Sequence, residues 1–373
     1  MNLKLSNTIK GMLLFLACLA TAGCGQEDMP TPDTPDDSRP QVVLTFSASP
    51  GLTTRTQLPG PEYLQHVQTM HLYIFNGKDD SAPCVAHEEV DWTDLAAPEG
   101  KHEVSKNHKV QYKDFAVGQP YTFIAVGLDD CSGATYGLPS AVTEGSTLKD
   151  AKAVLASGKT RNDIAVSELF GGSLELTPVA AGQITGTIKL DRRVAGVFGY
   201  FKNIPKQVKG EKVASLRIEL YKPQNKSIWL TAKPRKEEDV IMEPIANTDD
   251  NKILVEIPLT EADFEKEKVL SKGSYVLPMK APTTEDYTLL VTLADANGVV
   301  LQTRKVKYQL DDKISDTSGG TGIITVTKDL YRFAINANWF YQIGPVNWPE
   351  EEDGNIVIEV IPDWHNVADL EWK

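Results

Sequence analysis

Residues 70–75 read MHLYIF, with an apolar side chain at every second position. Met70, Leu72 and Ile74 would point to one face of an extended chain, because successive side chains of a β-strand alternate between its two faces. Residues 121–126, YTFIAV, form a second run of this kind. Further candidate strands are QITGTIKL, VASLRIELY, KILVEI, EDYTLLVTL, VLQTRKVKYQL, GIITVT and NIVIEV. The pattern predicts a chain built mostly of β-strands.

Two runs of this type lie towards the ends of the chain, VVLTFSA at residues 42–48 and NIVIEVI at residues 355–361. The alternate apolar positions are Val42, Leu44 and Phe46 in the first run, and Ile356, Ile358 and Val360 in the second. Each run is long enough to form a strand with one buried face.

The clearest hairpin signal is Asp295-Ala296-Asn297-Gly298, between residues 289–293 and 299–301, because Asn-Gly supplies the positive φ angles of a tight turn. Two short stretches instead show features of helices. In residues 147–157 apolar side chains recur at helical spacing, and residues 260–268 begin with a Thr cap followed by acidic residues.

Strands joined by short turns favour antiparallel sheets, and neither helical stretch could build a helical domain. The predicted fold class is therefore all-β, with two tandem antiparallel β-sandwiches. A break at PVAAG, residues 178–182, places the N-terminal sandwich at residues 41–181 and the C-terminal sandwich at residues 182–373.

The N-terminus has the organisation of a signal peptide. Lys4 and Lys10 precede an apolar run at residues 12–22, which is followed by Gly23 and Cys24. A membrane-spanning helix needs about 20 apolar residues, and this run has roughly half of that length. Residues 1–23 are therefore predicted to be removed.

Residues 21–24 resemble a bacterial lipobox, although Thr21 stands where lipoboxes usually carry Leu. The resemblance implies that the Cys24 thiol receives diacylglycerol and that its new N-terminus is acylated, for example with palmitate. The alternative is a plain secretory signal cut after Ala22 or Gly23. Residues 24–40 are rich in Pro and Asp and would form a flexible stalk between the lipid and the folded part of the chain.

The formal net charge of −13 argues against nucleic acid and anionic lipid surfaces as partners. Outside the signal region and Cys24, the chain has only Cys84 and Cys131. An exported protein can form disulfides, so these two could pair, but two separate thiols fit the spacing equally well. No cofactor is expected apart from the covalent lipid.

No catalytic motif is present, since Gly171-Gly172 and Gly319-Gly320 lack the setting of a phosphate loop and neither HExxH nor GxSxG occurs. The chain is thus not expected to be an enzyme. Five of the six histidines lie within 43 residues and could contribute to a transition-metal site, although solvated strand positions are the commoner explanation. These are His66, His71, His87, His102 and His108.

Aromatic residues are concentrated near the C-terminus, at Trp339, Phe340, Tyr341, Trp348, Trp364 and Trp372. An exposed row of these rings could stack on sugars and would make the protein a surface glycan-binding lipoprotein. Packing in a sandwich core is the favoured interpretation.

Taken in order, the lipoprotein signal, VVLTFSAS, Thr54-Arg55 and MHLYIFNG resemble the start of the fimbrillin superfamily, the type V pilus subunits. Residues 121–126 are similar to the strand that precedes a loop in that family, and residues 190–195, LDRRVA, to its L-x-R-x-V-A strand near the domain junction. Among its members, the chain is most similar to the fimbrillin-associated minor subunits that anchor a fimbrium in the outer membrane.

The resemblance implies two transthyretin-like sandwiches and assembly by strand exchange, with an Arg-specific protease removing the leading strand of shaft subunits. Here residues 42–48 would leave after cleavage at Arg55, and residues 355–361 are the second exchange candidate. Without cleavage, Cys24 keeps the protein in the outer membrane as a surface-exposed anchor or minor subunit. Cleavage would instead release a polymerising shaft or tip fimbrillin.

The implied partners are other fimbrial subunits, the outer membrane through the lipid, and ligands on host or bacterial surfaces that support cell adhesion. The favoured interpretation of Arg55 alone is a solvated loop charge, and that of Arg192 and Arg193 is edge charges that discourage unwanted strand pairing.

Overall fold

The computed structural model describes residues 39–48, 67–92, 104–179, 182–231, 240–308, 330–348 and 356–361. The strands of the first half are β1 (Pro40–Ala48), β2 (Thr69–Phe75), β3 (Cys84–Val90), β4 (Val104–Lys109), β5 (Tyr121–Leu128), β6 (Lys152–Val154), β7 (Leu169–Leu176), β8 (Gly182–Lys189) and β9 (Asp191–Arg192). Two short helices, α1 (Ser132–Tyr136) and α2 (Arg161–Ile164), lie between β5 and β7.

The strands of the second half are β10 (Ala195–Lys202), β11 (Gln207–Val208), β12 (Glu211–Lys212), β13 (Ser215–Leu220), β14 (Ser227–Trp229), β15 (Ile253–Pro258), β16 (Val269–Val276), β17 (Leu289–Ala294), β18 (Val300–Tyr308), β19 (Phe340–Asn347) and β20 (Ile356–Ile361). Single 3₁₀ turns occur at Leu148–Asp150, Asp249–Lys252 and Glu261–Phe264. The prediction of an all-β fold is confirmed.

The first sandwich consists of a three-stranded sheet, in the order β4-β1-β8, and a five-stranded sheet, in the order β3-β2-β5-β7-β9. Apolar side chains from the facing strands fill the space between the two sheets, among them Leu44, Leu72 and Phe123, each with no solvent exposure. The alternation in β1 thus corresponds to one buried and one partly exposed face, whereas in β2 it separates the residues that face this core from those on the other face of the sheet.

The five-stranded sheet is covered on both faces. Its second face, which carries Tyr73 and Ile124, packs against residues of the 131–169 segment and against Phe198, Tyr275 and Phe340 of the second half. Every residue of β5 is buried as a result. This explains why YTFIAV is a nearly continuous apolar run, as is typical of strands with both faces in a core.

In the second half, one eight-stranded sheet encloses a large apolar core, in the order β15-β13-β17-β18-β20-β19-β10-β16. Small two-stranded sheets join β11 to β12, and β14 to β6 of the first half. Most pairings are antiparallel as predicted, but β1 with β8, β10 with β19, and β18 with β20 are parallel. Parallel pairs require long crossover connections between distant segments. The short turns visible in the sequence therefore do not predict them.

The predicted boundary at residues 181 and 182 falls between β7 and β8. Because β8 pairs with β1, the strand immediately after that boundary lies in the sheet of the first sandwich. The described strands belong to a single compact unit that spans residues 37–373. The chain enters the eight-stranded sheet only at Ala195, the first residue of β10.

Both helical predictions were wrong beyond their first turn. At Thr147 a capping box with Asp150 closes one 3₁₀ turn, after which Ala151 and Ala153 are buried alternately as the chain extends into β6. At Thr260 the predicted cap does form a capping box with Asp263, but the turn ends at Phe264. A single closed turn without a continuing apolar stripe does not propagate as a helix.

The predicted hairpin is present as β17 and β18, which pair from Leu290 opposite Lys305 to Ala294 opposite Val300. Of the Asn-Gly pair only Gly298 has a positive φ, +81°. The turn is completed by Asp295, whose Oδ1 accepts hydrogen bonds from two backbone N–H groups within the turn.

Candidate strand-exchange sites

β1 is the middle strand of its sheet and has one neighbour in each orientation. It runs antiparallel to β4, with Leu44 opposite His108, and parallel to β8, with Leu44 also opposite Gly186. Both backbone edges of β1 are therefore hydrogen-bonded within the sheet.

The inner face of β1 is fully buried. Val42, Leu44 and Phe46 are 1%, 0% and 0% exposed and pack in the core of the first sandwich. Gly186 on β8 makes room for them, because a Cβ at this position would lie 2.4 Å from Leu174 Cδ2 and 3.4 Å from Leu44 Cδ2. Removal of β1 would leave an unpaired backbone edge on β4 and on β8. The space between these two edges, lined by the core of the first sandwich, is called the β1 slot.

The β4 side of this slot is held by contacts that do not involve β1. The carboxylate of Glu88, on β3, accepts hydrogen bonds from the backbone N–H groups of Gln111 and Tyr112 at 2.9 Å each. Its Oε2 lies 2.8 Å from Nε2 of His108, and both side chains are largely buried. Glu88 thus ties β4 and the residues after it to the opposing sheet.

The contacts of Glu88 also set its ionisation. Burial alone would raise the pKa of the carboxyl group, but the hydrogen bonds from His108 and from two backbone N–H groups outweigh it and lower the pKa. The ionised form is therefore the one that the surrounding groups stabilise.

β20 occupies an equivalent position in the second half. It lies between β18, to which it is parallel, and β19, to which it is antiparallel. Ile358 stands opposite Tyr308 on one side and Ile343 on the other, and Val360 stands opposite Tyr341. Ile356 is 3% exposed and lies in the large apolar core. The two predicted exchange segments are therefore both interior strands with one parallel and one antiparallel neighbour.

The segment at residues 190–195 differs most from its predicted environment. Arg192 donates from Nε to Glu168 Oε1 at 2.6 Å, and neither side chain is exposed. Arg193 is 4% exposed and donates from Nε to the carbonyl oxygen of Trp229 at 3.1 Å. The interpretation of these arginines as edge charges that discourage strand pairing was therefore wrong, because both side chains are buried and hydrogen-bonded even though β9 is an edge strand of its sheet.

Around Arg192 the same segment contributes to all three apolar cores. Leu190 packs in the first sandwich, Val194 between the two halves, and Ala195 in the core of the second half. Glu168 cannot be recognised as a partner from the sequence, since it lies 24 residues before Arg192 and no local pattern connects the two.

The described aromatic residues near the C-terminus do not form an exposed row. Trp339, Phe340, Tyr341 and Trp348 are 5%, 0%, 0% and 1% exposed. Trp348 donates from Nε1 to Gln302 Oε1 at 3.1 Å. Packing is thus the role of these four rings, which removes the basis for a sugar-stacking surface there. Trp364 and Trp372 lie outside the described residues.

The three described histidines do not converge on one site. His71 and His87 are neighbours, with 3.3 Å between Nδ1 and Nε2, while His108 contacts Glu88. His66 and His102 lie outside the described residues. Within the described ranges, no group of three or more His, Cys, Asp or Glu side chains is placed to hold a metal ion.

Cys84 is a buried thiol whose Sγ donates to the Ala86 carbonyl oxygen at 3.4 Å, and burial raises its pKa. Its pairing with Cys131 stays a prediction. Cys24 and Arg55 lie outside the described residues, so lipidation and processing also stay predictions. In the part of the chain that is described, no helix combines the length and apolar character needed to cross a bilayer.

No family model and no curated protein matches the sequence. Among solved structures, a candidate cell adhesion protein of Parabacteroides distasonis is 12% identical with a TM-score of 0.45, over 90% of this chain and 99% of that one. The C-terminally truncated tip fimbrial protein Mfa3 of Porphyromonas gingivalis is 11% identical with a TM-score of 0.43, over 87% and 100% of the two chains. A fimbrial assembly protein of Parabacteroides distasonis is 13% identical with a TM-score of 0.36, over 81% and 89%. Values this low do not assign the chain to a family.

Proposed function

We propose that this chain is a non-enzymatic structural subunit of fimbriae, joined to other subunits by exchange of β-strands. It acts on the cell surface as an anchor or minor subunit, tethered to the outer membrane by lipid on Cys24. The proposal rests on the sequence features of an exported lipoprotein together with the placement of β1 and β20.

One observation carries the proposal. β1 is the first described strand, it lies in the middle of its sheet, and its inner face is wholly buried. A single segment, residues 49–66, joins it to the rest of the body, and this segment contains Arg55. One backbone cut there would convert β1 into a separate strand, held only by hydrogen bonds and apolar contacts that a strand of a neighbouring subunit could replace.

β20 would provide the complementary part of the exchange. It follows residues 349–355 and lies between β18 and β19. In an assembly this strand would leave its own sheet and extend from one subunit into the slot of the next, and the gap between β18 and β19 would be filled by another strand. Fimbrial subunits are accordingly the partners we infer, and ligands on host or bacterial surfaces would be bound by the assembled fimbria.

The fate of Arg55 decides between an anchor and a shaft or tip subunit. Cleavage there would remove Cys24, its lipid and β1 together, and would free the remainder to polymerise. Without cleavage the lipid stays attached and the protein serves as the base. Intact-mass analysis of the native protein separates the two roles: an anchor begins at an acylated Cys24, whereas a non-acylated chain that begins at residue 56 would establish the shaft or tip role instead.

Strand exchange is tested by severing β1 after folding. A recognition site for a highly specific protease is placed within residues 49–66 of the full chain, the folded protein is cut, and a fluorescent peptide of residues 40–48 is added. We expect the cut protein to take up the peptide and the uncut protein to exclude it. The matched control is the same peptide with Leu44→Asp, which would bury a charge in the slot and should not bind. Equal uptake of both peptides, or no uptake by cut protein that remains folded, would rule out exchange at β1.

A further inference from the structure

The pair formed by His71 and His87 is not used by the proposed assembly mechanism. The two residues lie on the neighbouring strands β2 and β3, where Tyr73 is opposite His87 and Glu89 is opposite His71. β3 is an edge strand of the five-stranded sheet. The imidazoles are thus diagonal neighbours across the outermost strand pair.

The separation of the two imidazole nitrogens suits a metal ion. Nδ1 of His71 and Nε2 of His87 are 3.3 Å apart. Two zinc–nitrogen bonds of about 2.0 to 2.1 Å at a tetrahedral angle place their nitrogens roughly 3.3 Å apart. An ion bound to both nitrogens would therefore replace the shared hydrogen, with each ring turned so that its lone pair points at the ion.

Neighbouring groups restrain the rings. His87 stacks on Tyr73, with ring centroids 4.7 Å apart and an angle of 13° between the planes. Tyr73 is itself fixed, because it is 1% exposed and its hydroxyl donates to the Pro139 carbonyl oxygen at 2.8 Å. His71 is 7% exposed, whereas His87 is open to solvent, so a hydrated ion can approach from that side.

Acidic groups lie near the two imidazoles and would balance part of the charge of a bound cation. Desolvation lowers the pKa of His71, with a further contribution from His87, and desolvation also lowers the pKa of His87. The negative charge of Glu89 acts on both rings, and Glu144 adds to it at His87.

We propose that His71 and His87 form a two-histidine site for a divalent transition-metal ion of the Zn²⁺, Cu²⁺ or Ni²⁺ class. Water would complete the coordination sphere, and the carboxylate of Glu89 would balance the charge. Imidazole ligands exclude Mg²⁺ and Ca²⁺, which prefer oxygen. The bound ion would link the edge strand β3 to β2, so that the edge of the sheet is more stable when metal is present. The site is independent of strand exchange.

Zn²⁺ titration of the full chain, carrying no polyhistidine tag, tests the proposal by isothermal calorimetry. We expect one Zn²⁺ per chain, no binding of Mg²⁺, and at least tenfold weaker Zn²⁺ binding for His71→Ala and for His87→Ala. His87→Gln keeps much of the ring volume and serves as a second variant if His87→Ala is unstable. The melting temperature should rise with Zn²⁺ in the wild type, return to its starting value with EDTA, and be unaffected by Zn²⁺ in His87→Ala.

The matched control is His108→Gln, which should keep the binding of the wild type because His108 contacts Glu88 and not the pair. Two results would overturn the site. One is the absence of Zn²⁺ binding at millimolar metal, which would leave the pair as a hydrogen bond only. The other is unchanged binding in the His71→Ala/His87→Ala double variant, which would place the metal elsewhere.

Discussion

Arg192 and Glu168 form an ion pair with 2.6 Å between Nε and Oε1 and no solvent exposure of either side chain. The guanidinium group also lies over the ring of Phe170, 5.7 Å from its centroid. The backbone N–H of Glu168 donates to Oδ2 of Asp129 at 2.7 Å. The pair therefore lies within a polar network at the point where the chain passes from the first sandwich to the eight-stranded sheet.

Arg192→Ala should destabilise the protein by about 3 to 5 kcal/mol, because it leaves the Glu168 carboxylate buried without its cation. The free energy of unfolding from urea denaturation is the measurement. Arg192→Met combined with Glu168→Leu removes both charges and should recover most of the loss. The matched control is Lys212→Ala, whose side chain is 67% exposed in its ion pair with Glu261 and whose loss should leave stability unchanged. An Arg192→Ala variant as stable as the wild type would show that the pair does not hold the junction.

Leu44→Ala should lower the free energy of unfolding by about 2 to 5 kcal/mol. The Leu44 side chain is 0% exposed, and its truncation leaves a cavity under the middle of β1. Thr45→Ala is the control on the same strand, because Thr45 faces away from the core and donates only to Asn107 Oδ1. Urea denaturation of the full chain distinguishes the two. A similar decrease in the free energy of unfolding for both variants would mean that backbone pairing, rather than the buried face, holds β1 in place.

How far the sequence predicts the fold depends on the range of the interactions. Alternation in residues 42–46 and 70–75 correctly predicts strands and their inward faces, because that pattern is local. The parallel pairing of β1 with β8 is not predictable in the same way, since the partners are more than a hundred residues apart and nothing in either strand encodes the other.

The same limit applies to charged and helical residues. The sequence does not distinguish Arg192 from an exposed arginine at a sheet edge, because its partner Glu168 is close to it only in the folded structure. In residues 147–157, Leu148 and Ala151 have helical spacing, yet Ala151 and Ala153 also alternate, and pairing of β6 with β14 selects the extended form. Tertiary contacts therefore overrode a weak local preference.

Glu88→Gln should lower stability at pH 7 and have little effect in acid. The pKa of Glu88 is lowered in the folded protein, so the ionised carboxylate stabilises the fold above its ordinary value of 4.5, and this contribution is lost as the pH falls through the folded pKa. Urea denaturation at pH 7 and at several values below pH 4.5 should show that the difference in the free energy of unfolding between wild type and variant becomes smaller as the pH falls. Glu175→Gln, at an exposed position on β7, is the control and should leave the free energy of unfolding at pH 7 unchanged. A difference that persists unchanged into acid would mean that Glu88 acts through packing rather than charge.

Removal of β20 should expose the facing edges of β18 and β19. A chain ending at residue 354 lacks the whole strand, whereas a control chain ending at residue 362 keeps it and loses only the residues beyond. We expect the shorter chain to associate through the open edges, because two unpaired strands next to an apolar core form a template for pairing. Size-exclusion chromatography with light scattering should then show oligomers of the shorter chain and monomers of the control. Addition of a peptide of residues 355–361 should restore the monomer by filling the gap, and a shorter chain that is monomeric and as stable as the control would show that β20 does not close this sheet.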